Sequence, residues 1–153
     1  MEPRNRAALQ IALTVIVVVG LAIDAFVHYD LASAFRHIRS STLGEDELFR
    51  AEATVAVVAA IALVIRPRRY TAAFAFLVAA GGTAAVVVYR YVDVGAFGPF
   101  PDMYDPFWAP TEKTVSVFAE AAAALAALGL FMMFHARTHR ESEVRPTARV
   151  PVR

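Results

Sequence analysis

The fold class predicted for this chain is all-α: a polytopic membrane protein built as a four-transmembrane-helix bundle. Three observations predict it. Hydrophobic residues make up 58% of the 153 residues and charged residues only 19%, too apolar for an ordinary soluble domain. The apolar residues are segregated into runs, each near the ~20 residues needed to cross ~30 Å of hydrocarbon. None of the runs alternates with period two, so helices rather than barrel strands satisfy the backbone in lipid.

The first span covers residues 7–28, from Ala7 through Val27, behind Arg4 and Arg6. Ala32-Ser33-Ala34 has the pattern of a leader cleavage site, but the apolar run is long for a leader and Asp24, His28 and Asp30 would precede the cut. The span is therefore expected to be retained. The second span, 46–66, is short by hydropathy alone. Leu48 and Phe49 extend it upstream, and Thr42-Leu43-Gly44-Glu45 reads as a capping box that starts the helix. The third span, 70–91, follows the short turn Arg66-Pro67-Arg68-Arg69, which makes the second and third spans antiparallel neighbours. The fourth, 112–135, is expected to be capped by Thr111 with Glu112 in its first turn. Residues 1–139 form the transmembrane domain. Residues 140–153 are polar, contain Pro146 and Pro151, and are expected to be a disordered cytoplasmic tail.

Lipid supplies no hydrophobic drive between helices, so small residues must let them approach. Ala119, Ala123 and Ala127, with Ala122 and Ala126 beside them, form such stripes in the fourth span. Ala56 and Ala60 do so in the second, and Ala75 and Ala79 in the third. Gly81-Gly82 could permit a bend. The two halves also show a faint likeness: Phe49-Arg50-Ala51-Glu52 beside Phe118-Ala119-Glu120, and His28-Tyr29-Asp30 beside Arg90-Tyr91-Val92-Asp93. A pair of pseudo-repeated helical hairpins would explain it.

Charge sets the orientation. Arg4, Arg6, Arg66, Arg68, Arg69, Arg137 and Arg140 flank the ends that share one side, so both termini are expected in the cytoplasm of a bacterial inner membrane. A formal net charge of +1 and its polarised distribution argue against a nucleic-acid partner. The chain has no cysteine, which excludes disulfides, thiolate metal sites and thiol redox chemistry.

The opposite side gathers the acids. Asp24, His28, Glu52, Arg90, Asp93 and Glu120 form a polar cluster in the outer leaflet. At ~1.5 Å per residue, Glu52 lies ~21 Å above Arg66 and Glu120 ~22 Å above His135, a shared depth inside the hydrocarbon. A carboxylate there costs ~2.5–3.5 kcal/mol on insertion scales, so it must face the bundle interior and find a partner. Asp24 and His28 share a helix face, as do Arg90 and Asp93, and Arg90 is expected to neutralise one acid. Asp24, His28, Glu52 and Glu120 also make a donor set suited to Zn²⁺, Mn²⁺ or Fe²⁺. Neither glutamate has the histidine three residues on that helical di-iron proteins use. Between the third and fourth spans, a proline-rich loop with Pro101, Asp102, Met103, Tyr104 and Trp108 is expected to anchor at the interface. Its alternative role is a lid over the cluster or a docking surface for a partner. There is no phosphate loop, nucleophile elbow or HExxH helix.

The span pattern, the Phe-Arg-Ala-Glu start of the second helix and the Pro-Asp-Met-Tyr loop give a resemblance over Ala7 to Phe134. The chain resembles the small uncharacterised four-helix membrane proteins common in actinobacteria, some grouped loosely with DoxX-like proteins. The resemblance implies a fold and a location, and carries over no catalytic residue. The leading functional expectation is a non-catalytic accessory or assembly partner of a membrane complex, or of a second copy, with the polar cluster locking the bundle. The alternatives are binding or transport of a cation, metal or proton, and a small enzyme acting on a lipid or quinone.

Overall fold

A computed structural model describes residues 2–144, the side chains of Pro3 and of 137–144 excepted. It contains the helices α1 (Pro3–Ala32), α2 (Glu45–Ile65), α3 (Arg69–Tyr91) and α4 (Thr111–Val144). Each is long and apolar enough to cross a membrane. The fold is the all-α four-helix bundle that the hydropathy pattern predicts. α1 packs on α2 and α4, and α3 on α4 and α2, so the helices form a ring in chain order. α2 and α3 are neighbours as their short turn requires, yet they are the least closely packed adjacent pair.

Local chemistry sets the helix ends. Pro3 stands in the first turn of α1, where its missing N–H is no loss. α2 begins at Glu45 and not at a Thr42 cap: Gly44 is the N-cap residue, and its N–H donates to Glu47 Oε2 at 2.9 Å. The expected capping box is thus displaced by two residues, because the Thr42 and Leu43 N–H groups are already taken by Ser40 Oγ at 3.0 and 2.9 Å. Between α2 and α3, Thr71 Oγ1 donates to Arg66 O at 2.6 Å and accepts from Arg68 N at 3.1 Å, which turns the chain back on itself. Thr111 is the first helical residue of α4, and Glu112 lies in its first turn. α4 runs to Val144, so 140–144 are helical where a disordered tail was expected. Arg140, Glu141 and Glu143 are good helix formers and extend a helix already begun. Residues 145–153 of that expected tail lie outside the described residues.

The core is small-residue packing. Ala56, Ala59, Ala72, Ala75, Ala79, Ala123 and Ala127 are fully buried, with Val17, Leu21, Leu63 and Leu130 filling between them. Ala119 is only half-buried and Ala122 is exposed, so the expected stripe with Ala126 does not extend back through Ala122. Large apolar residues such as Ile11, Ile61, Leu77 and Leu125 face outward, as lipid contact requires.

The two long loops, 33–44 and 92–110, lie at one end of the bundle and are joined there. Ser40 Oγ donates to Pro99 O at 2.6 Å. Gly95 and Gly98 take positive φ (66° and 57°) in the second loop, conformations that other residues adopt at a cost. Asp93, Asp102 and Asp105 each accept from a backbone N–H two residues on, so three local turns give the loop its shape.

Candidate functional site

A hydrogen-bonded chain of polar side chains crosses from α4 to α1 near the long-loop end. Ser116 Oγ lies 3.1 Å from Glu120 Oε1, one turn along the same helix, and 3.1 Å from Asp24 Oδ1 on α1. Asp24 Oδ1 in turn lies 2.6 Å from His28 Nδ1, which also faces the Asp24 carbonyl oxygen at 3.1 Å. Two oxygens on one nitrogen make Nδ1 the protonated one, leaving Nε2 as the ring's other donor or acceptor. Asp24 and Glu120 are both completely buried. The His28 ring is held edge-on against Phe49 of α2 at 5.2 Å.

Two glycines make this geometry possible. A Cβ on Gly20 would stand 2.6 Å from Ala119 O and 2.8 Å from Ala123 Cβ, so only glycine lets α1 come close enough to α4 for Ser116 to bridge. A Cβ on Gly82 of α3 would stand 2.8 Å from Glu120 Oε2 and 2.9 Å from its Cδ. The bare backbone of α3 is therefore the floor on which the Glu120 carboxylate lies.

Beside this chain is a cavity of about 200 Å³ to which all four helices and both long loops contribute. Its polar lining comes from His28, Glu45, Glu52, Tyr89, Asp105, Lys113 and Ser116. Phe35, Phe49, Leu31 and Val86 supply much of the rest. Glu52 lies within electrostatic reach of Asp24 and His28, and Glu45 of Asp105 and Lys113. Lys113 Nζ donates to Asp105 Oδ2 at 2.7 Å, and the Asp105 N–H donates to Tyr89 O at 3.1 Å, fastening the loop over the cavity.

Hydrogen bonding is incomplete here. Asp24 Oδ2, Glu45 Oε2, Glu52 Oε1 and Glu120 Oε2 are buried without a partner, as is Arg90 Nε. A buried polar group left unpaired is costly, and most such groups in folded proteins have a partner. Four of these five atoms are carboxyl oxygens.

The residues expected to form one cluster divide. Asp24, His28 and Glu120 meet, and Glu52 faces the adjoining cavity. Arg90 makes no ion pair with these acids among the described residues. Its guanidinium carbon lies 5.0 Å from the Tyr91 ring and 5.6 Å from the Trp108 ring, drawn toward the loop by cation–π contact. Asp93 is exposed and caps its own turn. Of the expected lid residues, Pro101 is fully buried and Met103 lines the cavity. Asp102 accepts from the Tyr104 N–H, Tyr104 itself is exposed, and Trp108 carries Arg90.

Of the four candidate metal ligands, Asp24, His28 and Glu120 each offer one ligand atom within 4.8 Å of the others, and Glu52 is outside that group. The donor types suit Zn²⁺, Mn²⁺ or Fe²⁺. The 2.6 Å between His28 Nδ1 and Asp24 Oδ1 is a hydrogen-bond length, however. Two ligands on one tetrahedral zinc at ~2.0–2.2 Å stand ~3.3 Å apart. Those two atoms share a proton, and metal ligation would require one of them to turn away.

Sequence reasoning missed Ser116, Gly20, Gly82, Glu45 and the Asp105–Lys113 pair. Ser116 was within reach, since it lies four residues before Glu120 and so on the same helix face. The glycine contacts depend on which helix packs opposite and leave no local signal. No family model, curated protein or solved structure matches the chain, so its function is argued from the chemistry of this site.

Proposed function

We propose that this chain is an integral membrane protein that binds a cation in the long-loop half of its bundle. The observation that carries the reading is the excess of buried, unpartnered carboxyl oxygens on Asp24, Glu45, Glu52 and Glu120. A polar cluster that served only to lock the helices would use up its own donors and acceptors. Here the Ser116 bridge joins α1 to α4, while Glu52 of α2 has an oxygen buried with no partner. Each such oxygen can accept from water or a protonated neighbour, or be satisfied by a metal ion or the N–H of a positively charged ligand, and the gathering of four of them at one end of the bundle favours the last two. Ser116 has one hydroxyl proton for two carboxylates, so a second proton or another positive charge is needed even within the α1–α4 chain.

The arginine-flanked ends support a reading in which the termini lie in the cytoplasm of a bacterial inner membrane and the cavity faces outside. The Ser116 bridge favours a second reading, in which α1 and α4 are held in register for an accessory role beside a partner membrane protein. The test between the two is elemental analysis and equilibrium titration with Zn²⁺ and Mn²⁺ of protein purified in mild detergent, beside Glu52→Gln and Glu120→Gln. Saturable binding that weakens in both variants supports the cation site. Equal affinity in all three proteins would count against it.

A further inference from the structure

The cavity says more about the cation than its charge, and the argument rests on the cation-binding reading above. A volume of about 200 Å³ is far more than a metal ion bound directly by carboxylates requires. At ~30 Å³ per water it has room for about half a dozen water-sized groups. Water can bond to the polar side chains on one part of the wall, but Phe35, Phe49, Leu31 and Val86 offer it no hydrogen bonds on the rest. The space therefore suits an apolar body.

The polar demands are equally specific. Glu45 is only 6% exposed, lines the cavity and has Oε2 buried without a partner. Glu52 also lines the cavity, with Oε1 buried and unpartnered. The two stand seven residues apart on α2, two turns along one face, so they present acceptors at two depths separated by ~10 Å. Against them the cavity brings Lys113, already bonded to Asp105, and His28, already bonded to Asp24. Of these two, His28 has only Nε2 left to donate, so a ligand bringing its own positively charged donor would serve the carboxylate that His28 does not. Phe35 and Phe49 line the same cavity and add aromatic surface to it. A quinone or an ester brings carbonyl acceptors, which duplicate what the wall already has.

We infer that the cavity binds a small hydrophobic amine as its ammonium ion. The nitrogen donates to Glu52, with Glu45 nearer the loops, and the apolar body lies against Phe35, Phe49 and Val86. Gly81 borders this space, and a Cβ added there meets nothing within 4 Å. A larger side chain at 81, on the border of the cavity, is therefore accommodated without disturbing the backbone and is expected to narrow the space.

Equilibrium dialysis of purified protein in mild detergent against 2-phenylethylammonium tests this, with n-propylbenzene as an uncharged probe of the same shape. Saturable binding is expected, one probe per chain. It should weaken about tenfold or more in Glu52→Gln, where a charge-assisted bond is lost, and similarly in Gly81→Leu, where the space is narrowed. n-Propylbenzene should bind at least about tenfold more weakly than the amine. Equal binding of the two probes, or unchanged amine binding in Gly81→Leu, would overturn the inference. If Glu52→Gln does not fold, Gly81→Leu and the uncharged probe decide the matter. Binding of Zn²⁺ or Mn²⁺ without the amine would overturn this inference and leave the cation reading standing. Binding of none of the three would remove both.

Discussion

At Gly82 an added Cβ would meet the Glu120 carboxylate at 2.8 Å, whereas at Gly81 it meets nothing within 4 Å. Glu120 is completely buried and bonded to Ser116, so its carboxylate has little room to withdraw. Gly82→Ala is expected to lower stability by about 1–3 kcal/mol, the usual cost of overpacking. Gly81→Ala should be neutral or stabilise by up to ~1 kcal/mol through helix propensity. Thermal unfolding of the two variants in the same detergent checks the contrast, and similar shifts would deny Gly82 its place beneath Glu120. At this scale the sequence was legible where polarity is expensive. Asp24, His28, Glu52 and Glu120 stand out because ionisable groups are rare in apolar helices. Arg90 stands out equally, but depth cannot say whether it turns to a carboxylate or to the rings of Tyr91 and Trp108. Ser116 is inconspicuous because a serine in a helix can bond its own backbone.

The helices themselves were the most legible feature, since length and hydropathy are properties of each segment alone. Their ends were less so. The Thr42 to Glu45 pattern has the composition of a capping box, yet Ser40 takes the nearby N–H groups and the helix starts two residues later. The tail was read by its polarity, which shows where lipid ends but not where a helix ends. α4 continues through 140–144 because its charged residues favour helix in water as well. Small-residue stripes predicted tight packing at Ala56, Ala75, Ala79, Ala123 and Ala127, all fully buried. They did not reveal the close approach at Gly20, because a single glycine makes no stripe.

For the whole molecule, the ring of helices parts where α2 and α3 face the cavity, and both long loops close that end. Charge placement proposes the sides. With no native cysteine, single cysteines at Glu2 and Thr42 report them cleanly. A membrane-impermeant thiol reagent added to intact cells should label Thr42→Cys and spare Glu2→Cys; the reverse pattern would invert the orientation and turn the cavity toward the cytoplasm. The site as a unit was only partly legible for a related reason. A cavity is the space left between four segments, and no segment encodes it. Glu45, Asp105 and Lys113 are ordinary loop-end charges until the loop folds back over Tyr89.

The central claim is that the buried carboxylates exist for a cation and not for the fold. Glu52 has an unpartnered buried oxygen, so replacing it with glutamine removes a burden as well as a charge. The most direct measurement is thermal unfolding of wild type and Glu52→Gln in mild detergent, each with and without saturating Zn²⁺, Mn²⁺ or 2-phenylethylammonium. The account predicts that without added cation Glu52→Gln unfolds at or above the wild-type temperature. It also predicts that at least one of the three raises the Tm of wild type and that Glu52→Gln loses most of that rise. A Glu52→Gln protein that melts several degrees lower, beside a wild type indifferent to all three, would contradict it and return the cluster to a structural role.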